Sequence, residues 1–146
     1  MIRVVIDTNA VVSAMLRSGG LPEAVFNLAM ERRTVQLYFP PPVLAEYEEV
    51  LSRPRLNISP DKVTIAMVRI RDAGLPATPI SLVNAARDPD DNIFMECAQA
   101  VDAHYLITGN IKDFPLVWQT TRTSSFRRSC NRLGYRLKCS CWWPRV

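Results

Sequence analysis

The sequence predicts a single α/β domain, a mostly parallel central sheet flanked by helices in a three-layer sandwich. Three observations point to it. A β-branched run, Val4-Val5-Ile6, opens the chain and stops at Asp7. Strand-like runs then alternate with amphipathic helical stretches as far as Ile107, the pattern of a parallel sheet covered by helices. Two of the runs lead directly into polar, acid-bearing segments. A run such as Val4 to Ile6 suits a strand buried on both faces, and Asp7 would lie at its carboxyl end, where open α/β sheets bind ligands.

With 146 residues the chain suffices for one domain that removes about 68–70% of its unfolded surface from water. Its apolar fraction of 48% and charged fraction of 22% are those of an ordinary globular protein. No apolar run approaches the ~18 residues of a membrane helix, and the first strand starts without a signal peptide ahead of it. A soluble, cytoplasmic protein is expected.

After the first strand, Ala10 to Arg17 reads as a short helix ended by Gly19-Gly20. Leu21, Ala24, Val25, Leu28 and Ala29 recur at helical spacing, with Pro22 in the first turn where its missing N–H costs nothing. Val35 to Phe39 is the second strand, broken by Pro40-Pro41-Pro42. The helix that follows, to about Ser52, carries Val43, Leu44, Tyr47, Val50 and Leu51 on one stripe. Ser59-Pro60-Asp61 starts the next helix as N-cap, first-position proline and first-turn acid. It runs to about Ala73, with Gly74 as its stop; Ile65 and Val68 fall off its inward stripe and offer a partly apolar face to a partner. Ala77 to Val83 is expected to be the third strand, Pro79 suggesting an edge. A polar turn, Arg87 to Asn92, feeds a helix with Phe94, Cys97, Ala98 and Val101 on one face, and His104 to Ile107 is the fourth strand.

The net charge of +4 divides unevenly: up to Gln119 there are 11 Lys/Arg against all 14 Asp/Glu, and from Thr120 onward 7 Lys/Arg and no acid. The stretch from Thr123 to Val146 shows no periodicity and holds Cys130, Cys139, Cys141, Trp142 and Trp143. It is expected to be a basic tail outside a domain of residues 1–122. Such a break marks either a nucleic-acid-binding arm or a segment foreign to the fold, disordered or read out of frame. The cysteines lack the paired spacing of a structural zinc module.

Four segments bring acids toward one sheet edge: Asp7, Glu46, Asp91, and Asn110 with Asp113. Asp91 opens a helix, where backbone N–H groups favour its ionised form. Clustered carboxylates imply a bound cation, and an oxygen-only donor set suits Mg²⁺ or Mn²⁺, the equipment for phosphodiester hydrolysis. Each residue also has a local role open to it. Asp7, Thr8 and Asn9 are all good N-cap residues, Glu46 and Glu48 stand about equally close to the core border, and Asp113 suits a turn. Asp88 and Asp90 are read as turn or cap residues.

Four ordered stretches carry a family resemblance: Val-Ile-Asp-Thr-Asn at 5–9, Val-Leu-Ala-Glu-Tyr-Glu-Glu-Val-Leu at 43–51, Asp-Pro-Asp-Asp-Asn-Ile-Phe-Met-Glu-Cys-Ala at 88–98, and Leu-Ile-Thr-Gly-Asn-Ile-Lys-Asp-Phe-Pro at 106–115. Together they resemble the motifs of PIN domains, and more narrowly the toxin branch of that family. The resemblance implies a Mg²⁺- or Mn²⁺-dependent ribonuclease that is the toxin of a toxin–antitoxin pair, with RNA as substrate, a cognate antitoxin as partner and a homodimer as the assembly. It implies that Asp7, Glu46 and Asp91 hold the metal, with Asn110 or Asp113 completing the site. Thr8, Asn9 and Thr108 would hold these groups by hydrogen bonds. Asn110 stands where many members have aspartate, which keeps a second reading open: a catalytically weak module that binds RNA or a partner. A receiver-type phospho-acceptor lacks its early acid pair here, and no Gly-x-Gly-x-x-Gly follows the first strand as a dinucleotide site requires.

Overall fold

A computed structural model describes residues 1–134 of the chain; Cys139, Cys141, Trp142 and Trp143 lie outside the described residues. The element order is β1 (Ile2–Ile6), α1 (Thr8–Leu16), α2 (Leu21–Met30), β2 (Val35–Phe39), α3 (Pro41–Leu51), α4 (Pro60–Ala73) and β3 (Gly74–Pro76). There follow α5 (Asn92–Ala100), β4 (Tyr105–Ile107), β5 (Val117–Trp118), β6 (Thr121–Ser124) and α6 (Phe126–Arg132). The strands form one mixed, mostly parallel sheet in the order β3-β2-β1-β4-β6-β5, with only β5 antiparallel, against β6.

Val4, Val5 and Ile6 are all buried, as a strand paired on both sides and covered on both faces requires. The chain steps outward from β1 to β2 and β3 through α1–α4, then returns across the sheet through α5 to β4. Right-handed crossovers therefore place α5 on the face opposite α1–α4; it packs on β1, β2 and β4, while α6 comes back against α2. Tyr47, Leu51, Met67 and Ile70 fill one side of the core, and Phe94, Met95 and Leu106 are buried as deeply.

Two expectations are corrected. The third strand is Gly74–Pro76, and the 77–83 stretch forms no strand: Ile80 and Leu82 are almost fully exposed. Gly74 ends α4 and begins β3 at the same residue, because its bare α-carbon lies under the Phe39 ring; a Cβ there would stand 2.6 Å from Cε1 of Phe39. Regular structure also continues past Arg122, because β6 pairs with β4 from Arg122 to Ser124 and α6 follows. Ser129 donates to Ser124 Oγ at 2.9 Å, and Cys130 and Leu133 are buried in the core cluster. Seven residues of helix are too short for periodicity to register.

Ending the chain after Arg122 strips β4 of half its β6 partner and removes both buried apolar side chains of the α6 region, at about 1.5–3 kcal/mol for a large apolar group. Urea titration of chains ending at Arg122 and at Gly134 is expected to show the shorter one unfolding at lower denaturant. Equal midpoints would mean that α6 adds nothing to the fold.

Candidate metal centre

The strand neighbours of β1 are β2 on one side and β4 on the other, so the chain reverses direction across the sheet beside β1. A crevice opens at such a switch point, outside the carboxyl ends of the strands. Asp7 follows β1 and Thr108 follows β4; the Asp7 N–H donates to the Ile107 carbonyl at 3.0 Å, which brings the two ends together.

Asp7 is 3% exposed. Its Oδ1 accepts from the Ala10 N–H at 2.7 Å, capping α1, and its Oδ2 accepts from Thr108 Oγ1 at 2.6 Å. Capping and a place in the cleft thus coexist in one carboxylate. Thr108 is fully buried and accepts in turn from the Asn110 N–H at 3.0 Å. Glu46 is brought to the same edge by its neighbour in sequence. The Tyr47 hydroxyl donates to the Ile6 carbonyl, pinning α3 to the last residue of β1, and Thr8 Oγ1 donates to Glu46 Oε1 at 2.5 Å. The three acids of α3 thus have different partners. Glu48 pairs with Arg71 and Glu49 with Arg53 on the exposed side, whereas Glu46 engages Thr8 beside Asp7.

Asn110 and Asp113 act as a pair, Asn110 Nδ2 donating to Asp113 Oδ2 at 2.9 Å. Asn9 is exposed; instead of bonding Asp7 it lines an open cleft of about 480 Å³ with Arg87, Asp88, Pro89, Asp91 and Asp113. Asp88 keeps its turn role, accepting from the Asp90 N–H at 3.0 Å. Two residues that sequence reasoning missed stand at this cleft, Arg87 in its lining and Asn92 next to Asp91. Asn92 is buried and its Oδ1 accepts from the N–H groups of Ala85 and Ala86 at 3.0 and 2.8 Å. Arg87 donates its N–H to the Asp113 carbonyl at 2.8 Å. A polar residue one position inside the apolar face of α5 was the available signal for Asn92; nothing in the sequence singles out Arg87 from other arginines.

Burial, and after it the proximity of like charges, governs the electrostatics. Burial pushes the Asp7 carboxyl up to about 7, against the hydrogen bonds from Thr108 and Ala10, and the charges of Asp91 and Asp113 push the same way. Partial burial, then Asp88, Asp113, Glu46 and Asp90, raise Asp91 to about 6. The helix N-terminus is expected to favour its ionised form, but the Asp91 side chain makes no capping bond, and burial together with its acidic neighbours raises it instead. Cys97 is a core thiol raised to about 12 by burial, and His104 is exposed, its Nδ1 accepting from the Arg3 N–H.

Among the described residues, no three His, Cys, Asp or Glu side chains close around one point as a ready metal cage. The donor chemistry nevertheless fits a hard divalent cation: the groups at the cleft able to ligate one are carboxylate and amide oxygens. The sequence profile of the PIN domain matches residues 3–112. The chain belongs to the PIN-domain family. An uncharacterized protein of Methanocaldococcus jannaschii is 30% identical over 112 residues, covering 75% of this chain and 71% of that protein. The matched span of the PIN domain includes Asp7, Glu46, Asp91 and Asn110, and Asp113 is the next residue beyond its end.

Raised carboxyl values make the PIN domain's stability depend on pH. Between about pH 4 and 7 the unfolded chain has released the Asp7 proton while the folded chain still holds it, so stability falls as pH rises through that window. Thermal melts without metal are expected to show a falling Tm from pH 5 to pH 8. Asp7→Asn, which keeps a good N-cap, should flatten the profile and exceed the parent at pH 8; a parent profile that rises would contradict the burial of this charge.

Thr108→Val removes the donor to Asp7 without changing shape. Loss of a group that orients a ligand weakens metal binding by about 10–100-fold. Calorimetric titration of Mn²⁺ into both proteins checks it, and equal affinities would mean that Thr108 has no part in the site.

Proposed function

We propose that this protein is a metal-dependent endoribonuclease that hydrolyses RNA phosphodiester bonds, and that it acts as the toxin of a toxin–antitoxin pair restrained by a cognate antitoxin. The observation that carries the reading is the gathering of Asp7, Glu46, Asp91 and Asp113 at one sheet edge, with Asp7 buried and its carboxyl raised to about 7 by burial and acidic neighbours. A protein that keeps such a cluster against its own electrostatics has a cation as the natural partner. Membership of the PIN-domain family supports a nuclease-like module.

Asp7, Glu46 and Asp91 would hold Mg²⁺ or Mn²⁺, with Asp113 completing the set. Bound there, the ion supplies a nucleophilic water at neutral pH and neutralises charge on the phosphate under attack. The protein's part is placement. Thr108 fixes the Asp7 carboxylate and Thr8 the Glu46 carboxylate. Asn110 serves through Asp113, since its amide N–H₂ holds Oδ2 of that residue, rather than as a stand-in ligand. No imidazole reaches the cleft, since the chain's one histidine, His104, bonds to Arg3 at the other end of β1 and β4, so proton movement falls to carboxylates and water. Among the described residues no helix is long and apolar enough to cross a membrane, in keeping with a cytoplasmic site of action. The exposed Ile65 and Val68 on α4 supply an apolar face for homodimerisation.

Incubation of a structured RNA pool with Mg²⁺ or Mn²⁺, and with EDTA, tests the proposal. Cutting that needs metal and falls by at least about 100-fold in Asp7→Asn is expected, a ligand loss being worth several kcal/mol in the transition state. A folded, Mn²⁺-binding protein that leaves RNA intact would reject the nuclease and favour a binding module.

A further inference from the structure

Arg87 is the cation of the acidic cleft. It lines the cavity with Asp88, Asp91 and Asp113, yet the ion pairs among the described residues are Arg53–Glu49 and Arg71–Glu48, both on the exposed side of α3. Its guanidinium has no hydrogen-bond partner among the described residues, although three carboxylates share its cavity.

The root of this side chain is held firmly. The Arg87 N–H donates to the Asp113 carbonyl at 2.8 Å, which ties it to the segment after β4. Immediately before it, the N–H groups of Ala85 and Ala86 both donate to the buried Asn92 Oδ1, and Asn92 Nδ2 donates to the Pro89 carbonyl at 3.1 Å. Immediately after it, Asp88 is extended, as a residue before proline is constrained to be. A segment outside any helix or strand is thus fixed at three successive backbone amides, and Arg87 is carried at the lip where its two acid-bearing neighbours meet.

An RNA strand approaching carboxylates meets repulsion, and a divalent ion committed to those carboxylates offsets only part of it. The guanidinium fork matches two oxygens of a phosphate and stays charged at every working pH. We infer that Arg87 binds a phosphate of the RNA strand at the cleft, holding it against the carboxylate cluster; this rests on the nuclease reading above.

Full-length protein with Arg87→Ala and Arg87→Lys would be titrated with a short fluorescein-labelled oligouridylate, with Ca²⁺ supplied so that the strand is held rather than cut. Fluorescence anisotropy at several salt concentrations reads both affinity and its salt dependence. The alanine variant is expected to lose about tenfold in affinity, and its slope of log K against log salt to become shallower by about 0.7, one single-strand phosphate contact. Lysine should keep the slope and lose part of the affinity, because the charge remains and the fork does not. Mn²⁺ affinity should stay equal or tighten, since a positive charge has left the neighbourhood of the ion. An unchanged slope in Arg87→Ala, or Mn²⁺ affinity lost in parallel with RNA, would overturn the inference. If the parent cuts RNA and both variants cut it with the same KM, Arg87 is dismissed while the nuclease stands; a parent that neither binds nor cuts RNA dismisses both.

Discussion

One carboxylate, buried at the end of the central strand, constrains much of this molecule. Asp7 cannot leave water without partners, and the partners it has are structural: the first turn of α1 on one oxygen and the hydroxyl that follows β4 on the other. Satisfying it therefore fixes where α1 starts and how the ends of β1 and β4 meet. The same locality tethers α3, because the carbonyl of the preceding residue, Ile6, accepts from Tyr47. The segments that bring Glu46, Asn110 and Asp113 to the cleft are thus positioned around a single buried carboxylate at the end of β1.

The arrangement works against folding. Burial and the charges of its neighbours all disfavour an ionised Asp7, and Asp91 stands in the same position. Hydrogen bonds from Thr108 and Ala10 offset only part of this. Evolution could remove the conflict by a single change to an amide, which would retain the cap. Perturbed carboxyls gathered at a cleft are a common signature of functional sites.

Much of the fold could be read from local chemistry. β2 begins and ends where its apolar run does, Ser59 caps α4 as expected with the Lys62 N–H on its hydroxyl, and Pro54 follows α3 closely. Errors arose where tertiary contact overrides pattern. The third strand is three residues long and begins at the residue that stops a helix, so no alternation could mark it; the aromatic ring of Phe39 determines that place instead. β6 reads Thr-Arg-Thr-Ser with no apolar residue, and its strand character comes from pairing with β4 on one side and β5 on the other. At the cleft, the acid-bearing positions were visible as residues following strands or opening helices. What sequence left open, whether Asn110 or Asp113 faces the site, becomes in the structure a hydrogen-bonded pair. Asn92 and Arg87 are not singled out because the importance of one lies in the two amides its Oδ1 accepts from and that of the other in the cavity it lines, and spacing along the chain carries no such information.

The hydrogen bond between Thr108 and Asp7 spans 101 positions of sequence. During synthesis the chain emerges at about 5–20 residues per second, amino terminus first. Asp7, Glu46 and Asp91 are all made before β4, yet the wall of the crevice beside β1 does not exist until residues 105–107 have added to the sheet. A nascent chain still attached to its ribosome, with its messenger threaded close by, therefore lacks an assembled cleft until most of the domain has been released from the exit tunnel. The long separation makes the cleft one of the last features of the domain to be completed.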